Sequence, residues 1–163
     1  MFDILPHQLD KERVLDLFAG SGAVGIEALS RGAATAVFVE SNPTASKIIK
    51  ENLKACDFTD IAKVTGGKLP GALAGIVRKD GPFDLVFVDP PYEKNLAKKT
   101  LAALVRSEGI TPGGLVVVEH SPRDEMPDEV SELIMVTEKT YGSTALSIYE
   151  RKTLEDAQEN NDG

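Results

Sequence analysis

The chain has 163 residues, a formal charge of −8, a single cysteine, and hydrophobic and charged fractions of 42% and 27%, the balance of one globular domain rather than of a disordered chain. The acidic excess is the wrong sign for nonspecific adhesion to phosphate, and the lone Cys56 excludes an internal disulfide or a cysteine zinc cluster. No apolar run reaches the roughly 18 residues of a membrane span and no basic-then-apolar leader opens the chain, so a soluble cytoplasmic protein is expected.

Apolar runs and helical patterns alternate along the sequence. Arg13–Phe18 reads as a first strand that stops at a glycine turn. Ala23–Arg31 has helical apolar spacing and is stopped by Gly32. Ala36–Val39 reads as a second strand. Asn42 before Pro43 is a cap followed by a first-turn proline, so a helix is expected to run on to about Ala55. Ile61–Thr65 is a third strand, with a short helix expected near Pro70–Val77. Asp84–Val88 is a fourth strand and Leu96–Ser107 a helix. The turn Thr111–Gly113 leads into a fifth strand, Gly114–Glu119.

Near-continuous apolar strands separated by helices imply a parallel sheet covered on both faces. Leu133–Tyr141 and Ala145–Arg151 are separated only by Gly142–Thr144, too short for a parallel crossover, so they should form an antiparallel hairpin at the sheet edge. The expected architecture is α/β: a Rossmann-like, mostly parallel seven-stranded sheet with a C-terminal antiparallel hairpin over residues 1–152. The segment Thr153–Gly163 holds four acids and no base and is expected to be a disordered acidic tail. Ligands of such sheets bind beyond the carboxyl ends of the strands, where the strand order reverses.

After the first strand, Gly20, Gly22 and Gly25 satisfy G-x-G-x-x-G between strand and helix, and Glu40 ends the second strand. Two ligands fit these residues. A dinucleotide would rest its pyrophosphate on the loop and its ribose on Glu40. S-adenosylmethionine would place its amino-acid end at the loop and its ribose on Glu40. A turn needed only for packing is the plainer explanation. Asp16, a carboxylate inside an apolar strand, favours S-adenosylmethionine: it is out of place against a pyrophosphate but suits an ammonium group or the loop amides.

After the fourth strand comes Asp89-Pro90-Pro91-Tyr92. Two prolines fix φ and remove two donors, leaving a stiff loop with free acceptor carbonyls. Asp89 and the carbonyl of Pro90 can accept the two hydrogens of an exocyclic amino group, and Tyr92 can stack on the ring. The nitrogen is then aimed for in-line attack on an activated methyl, and catalysis is largely positioning plus electrostatics. No metal or covalent nucleophile is needed. The plainer reading is a strand end and a turn.

Asp16–Gly22 (DLFAGSG) together with Asp89–Tyr92 (DPPY) resembles the RsmD-like methyltransferases, which modify N2 of a guanine in bacterial 16S ribosomal RNA. Gly25–Ala33 (GIEALSRGA), Val39-Glu40 and Tyr141–Thr144 extend the resemblance over roughly Phe2–Lys152. DPPY alone is shared with amino-methyltransferases that act on DNA bases or on protein glutamine. The resemblance implies that Asp16, Phe18, Ala19, Gly20, Ser21, Gly22, Glu40 and Ser41 surround S-adenosylmethionine, with Asn42 near the adenine. It implies that Asp89, Pro90 and Tyr92 carry catalysis, and that Pro91 and Lys94 meet the substrate. The sequence departs from the family twice. Members carry a basic extension ahead of the segment resembling Phe2–Leu5, and an acid after the third strand where this chain has Gly66-Gly67-Lys68.

The expected partner is ribosomal RNA or a small-subunit particle presenting an unpaired or extruded base, with no membrane or metal and a monomeric protein. Lys94, Lys98, Lys99 and Arg106, on or near the helix after DPPY, and Lys139 and Tyr141 on the hairpin are where a nucleic-acid backbone could pass, or else ordinary surface residues. Lys47, Lys50 and Lys54 read as a solvated face. His7 and His120 show no partner pattern, although His120 follows the fifth strand on the functional edge. Rival readings are a nicotinamide-dependent oxidoreductase, an inactive binding module, and an amino-methyltransferase for DNA adenine or a protein amide.

Overall fold

In the computed structural model, which describes residues 2–93 and 95–159, four of the five residues of β1 (Arg13–Leu17) and of β2 (Thr35–Val39) are buried. Side chains of a strand alternate between faces, so a strand buried on both must lie inside the sheet with helices on each side. That is the arrangement here. The elements that follow are α1 (Ala23–Ser30, between β1 and β2), α2 (Pro43–Ala55), β3 (Ala62–Thr65), α3 (Leu73–Asp80), β4 (Phe83–Val88), α4 (Leu96–Arg106), β5 (Ile110–His120), β6 (Glu129–Val130), β7 (Leu133–Tyr141), β8 (Thr144–Arg151) and α5 (Leu154–Glu159). The sheet order is β3-β2-β1-β4-β5-β8-β7-β6. β3 to β5 run parallel, and β8, β7 and β6 add on antiparallel.

The two faces carry separate cores. Val14, Phe38, Leu85 and Phe87 pack on Ala28 and Leu29 of α1 and Ile49 and Leu53 of α2. Leu15, Leu17, Val86 and Val88 pack on Leu73 and Val77 of α3 and Leu101 and Leu104 of α4. In α3 the buried positions are Leu73, Ile76 and Val77, the i, i+3, i+4 stripe of an amphipathic helix. Asn42 caps α2, its side chain accepting from the amides of Thr44 and Ala45 at 2.9 and 3.1 Å.

Several boundaries differ from the sequence reading. α3 begins three residues later than expected, at Leu73, because Pro70 and Gly71 form a turn ahead of it. β5 begins at Ile110, and the expected turn Thr111–Gly113 is a bulge inside it: Phe83 pairs with Ile110 but Leu85 with Leu115. A two-residue strand, β6, makes the sheet eight-stranded instead of seven. Within the segment expected to be a disordered tail, Leu154–Glu159 form α5, where Asp156 accepts from the Thr153 amide and hydroxyl at 2.9 and 2.7 Å, and residues 160–163 lie outside the described residues. Among the described residues, no helix is long and apolar enough to cross a membrane.

β1 lies between β2 and β4, the point where successive crossovers leave in opposite directions. The loops after β1, β2 and β4 therefore open onto one edge. β8 starts there too, since Ala145 pairs with His120 at the end of β5. Tyr141, half exposed, closes β7 beside Thr144 at the same edge.

Candidate active site

The chain leaves β1 through Phe18, which sits at φ 58, a left-handed conformation uncommon for a side chain of this size. Such strain persists where surrounding contacts impose it. Here the Ala19 amide is held by the Val39 carbonyl at 3.0 Å, and the Gly22 amide by the Ala19 carbonyl at 2.8 Å. The Ser21 carbonyl accepts from the Asn52 side chain at 3.0 Å. Gly25 is required by packing, because a Cβ there would lie 2.3 Å from Cε1 of the buried Phe38 ring. The third glycine of the motif thus sets how closely α1 approaches the sheet.

Two carboxylates take up amides of this loop. Asp16, 3% exposed, turns toward α1, and its Oδ2 accepts from the Gly25 amide at 3.0 Å. Glu40 accepts from the Gly20 amide through Oε2 at 2.8 Å and from the Asn42 amide through Oε1 at 3.0 Å. Burial pushes the Asp16 carboxyl up to about 7. The Gly25 amide opposes that shift, and the charges of Asp89 and Glu40 add to it. Asp16 therefore feels the charges of Asp89 and Glu40 across the site.

Asp89 follows the last residue of β4. Burial first, and then the Glu119 charge, pushes its carboxyl up to about 6. It stands where two clefts meet. One, of about 440 Å³, is lined by Phe18, Glu40, Ser41, Gly67, Lys68 and Leu69 and shares Asp89, Pro91, Glu93 and Leu96 with the second. The second, of about 600 Å³, is lined further by Pro90, Tyr92, Lys98, Glu119, His120 and Arg123. Tyr92 is 81% exposed, a ring with a free face at the mouth.

The residues expected from sequence divide into those that line space and those that hold the lining. Phe18, Glu40 and Ser41 face the smaller cleft, Pro90 and Tyr92 the larger, and Asp89 and Pro91 both. Asp16 lies behind the loop and reaches an amide, one of the two roles open to it. Gly67 and Lys68, where an acid was expected by resemblance, do line the smaller cleft. Lys94 lies outside the described residues. Lys98 lines the larger cleft, whereas Arg106 ends α4 against Pro70 and Gly71.

Glu119 was not legible as a site residue, and His120 only by its place on the functional edge. Glu119 lines the larger cleft beside Asp89, brought there because Val88 and Val118 are register partners one position earlier. His120 is buried, with Nδ1 2.8 Å from the Ser121 carbonyl and Nε2 2.7 Å from the Ser147 hydroxyl. A carbonyl only accepts, so Nδ1 donates to Ser121, and Nε2 shares a hydrogen bond with the Ser147 hydroxyl. The ring ties β5 to β8 beneath the cleft.

Residues 1–150 match the family model described as "Conserved hypothetical protein 95". The chain is 36% identical over 152 residues to YlbH of Bacillus subtilis, named as a candidate rRNA methyltransferase, covering 93% of this chain and 83% of that protein. It is 30% identical over 152 residues to ribosomal RNA small subunit methyltransferase D of Escherichia coli, covering 93% and 75%. A solved conserved hypothetical protein of Streptococcus pyogenes superposes with a TM-score of 0.86 at 34% identity, over 93% of this chain and 92% of that one. By motif, family match and shared fold, the chain belongs to the RsmD-like family, whose model is described as Conserved hypothetical protein 95.

Proposed function

We propose that this protein is an S-adenosylmethionine-dependent rRNA methyltransferase whose acceptor is the exocyclic N2 amino group of a guanine in small-subunit RNA. The observation that carries the cofactor assignment is the state of the loop amides. A pyrophosphate on a glycine loop needs free amides at the helix N-terminus. Here the Gly25 amide is engaged by Asp16 and the Gly20 amide by Glu40. Glu40 and Asp89 both line the smaller cleft, with Asp16 behind the loop, so the cleft carries negative charge that an anion would avoid and a cation would relieve. S-adenosylmethionine is cationic at its sulfonium and ammonium groups. Two solved structures described as candidate methyltransferases, one from Streptococcus mutans and one, SMU.776, complexed with SAH, are each 12% identical, and that likeness extends to the fold alone.

Bound S-adenosylmethionine supplies an activated methyl. The chain's residues do the rest. Glu40 presents carboxylate oxygens at the edge of the smaller cleft, where ribose hydroxyls can donate to them. Asp89 and the Pro90 carbonyl accept the hydrogens of the amino group and fix the direction of its lone pair, while Tyr92 covers the ring. The bound cofactor would supply the methyl and its sulfur would leave with the electron pair of the broken C–S bond, while Asp89 would take the proton that the nitrogen loses as the C–N bond forms. Such positioning of two reactants is a major source of rate.

Calorimetric titration with S-adenosylmethionine, and with NAD as control, tests the cofactor. Mass spectrometry of nucleosides from treated, unmethylated small-subunit particles tests the acceptor. Selective S-adenosylmethionine binding and N2-methylguanosine are expected. Binding of NAD instead, or a methylated adenine, would overturn the corresponding half of the proposal.

A further inference from the structure

Glu119 is a half-buried carboxylate with no described side-chain partner, and it opens into the same cleft as Asp89, Pro90 and Tyr92. The next two residues along the chain are engaged: both nitrogens of His120 are bonded, and the Ser121 hydroxyl accepts from the Arg123 amide at 3.2 Å. Asp89 and Glu119 stand side by side because β4 and β5 are parallel and in register up to Val88 and Val118. Two like charges on adjacent strand ends repel. Keeping both acceptor groups directed at one cavity makes sense for a ligand edge that offers several donors.

The Watson–Crick edge of guanine offers three N–H bonds, one at N1 and two at N2. Asp89 and the Pro90 carbonyl satisfy the two at N2, which leaves N1–H. Adenine and 2-aminopurine present a lone pair at N1, which a carboxylate repels. We propose that Glu119 accepts the N1–H of the target guanine and is the residue that selects guanine over purines lacking that hydrogen. The proposal rests on the guanine N2 reading above and deepens it. An uncompensated polar contact in a built site discriminates more strongly than a missing apolar one.

The experiment compares guanine with 2-aminopurine at one RNA position. 2-Aminopurine keeps the N2 amino group and lacks N1–H. The wild-type protein's target in unmethylated small-subunit particles is first located by mass spectrometry. That position is then rebuilt by splinted ligation as either base. Wild type is expected to favour guanine in kcat/KM. Glu119→Gln, whose amide can donate to N1, is expected to narrow that ratio by about tenfold or more, losing rate on guanine while holding or gaining rate on 2-aminopurine. Glu119→Ala should lose guanine rate without the gain. A role limited to raising the Asp89 pKa would shift the pH profile of both bases alike; an unchanged ratio in Glu119→Gln overturns the proposal. Absence of any N2-methylguanosine from the wild type would instead overturn the underlying reading, and this one with it.

Discussion

Asp16, on the first strand, and Gly25, in the first turn of the following helix, are joined by a 3.0 Å hydrogen bond from the glycine amide to a carboxylate that is 3% exposed. The bond attaches the helix to the strand from inside the core and removes a donor that would otherwise face a ligand. Asn at position 16 can still accept from the amide but carries no charge. The carboxyl titrates near 3.8 when unfolded and near 7 when folded. Its stabilising contribution is therefore complete below pH 3.8 and is lost as pH rises through 7. Asp16→Asn should melt closer to wild type, or above it, at pH 8 than at pH 5. Thermal melts across that range, with a gap that does not move in this direction, would contradict the buried-carboxyl assignment.

Gly25→Ala should destabilise the fold by about 1–3 kcal/mol, the usual cost of overpacking. The added methyl meets Cε1 and Cζ of Phe38 at 2.3 and 2.7 Å, and that ring is fully buried. Phe38→Leu in the same chain should recover part of the loss. Chemical denaturation of the two single variants and the double variant measures the coupling.

Glu40→Ala should weaken S-adenosylmethionine binding by about 1.5–3 kcal/mol, the value of a hydrogen bond to a charged group. It also frees the Gly20 amide, which Glu40 holds at 2.8 Å. Affinity should therefore fall more than for Ser41→Ala, which removes a hydroxyl from the same cleft. Equal affinities by calorimetry would take Glu40 out of the site.

Asp89 must be ionised to take the proton that the amino nitrogen sheds. Its pKa, raised to about 6 by burial and by Glu119, places the acid limb of kcat/KM near pH 6, with activity rising above it. Asp89→Asn should lower kcat by roughly 10²–10³-fold and flatten that limb while leaving cofactor affinity nearly intact. A retained limb would assign it to another group.

Tyr92→Ala should leave the melting temperature unchanged, because the side chain is 81% exposed. Stacking on a base contributes about 1–3 kcal/mol, so kcat/KM for RNA should drop about tenfold or more. Wild-type values with RNA would show that the ring does not cover the base.

The sheet was readable from sequence because its evidence is local. Val14, Leu15 and Leu17, or Leu85 to Val88, are apolar on both faces of a strand, and only a covered parallel sheet buries both. The glycine loop and the DPPY loop were readable for a related reason: each is a contiguous run whose backbone limits are written in its own residues. The first residue of α3 and the Thr111–Gly113 bulge were not, since they depend on how a segment meets its neighbour across the sheet.

The sequence by itself determined the alternation of strands and helices, the two motif loops and the family. Tertiary structure decided what the carboxylates do. Asp16 was visible as an anomaly in an apolar strand, but its partner lies nine residues away on a helix turned back over it. Glu119 looked like the end of a strand. It became a candidate for base recognition because parallel register set it beside Asp89. Register and burial are products of long-range packing, so no window of the sequence contains them.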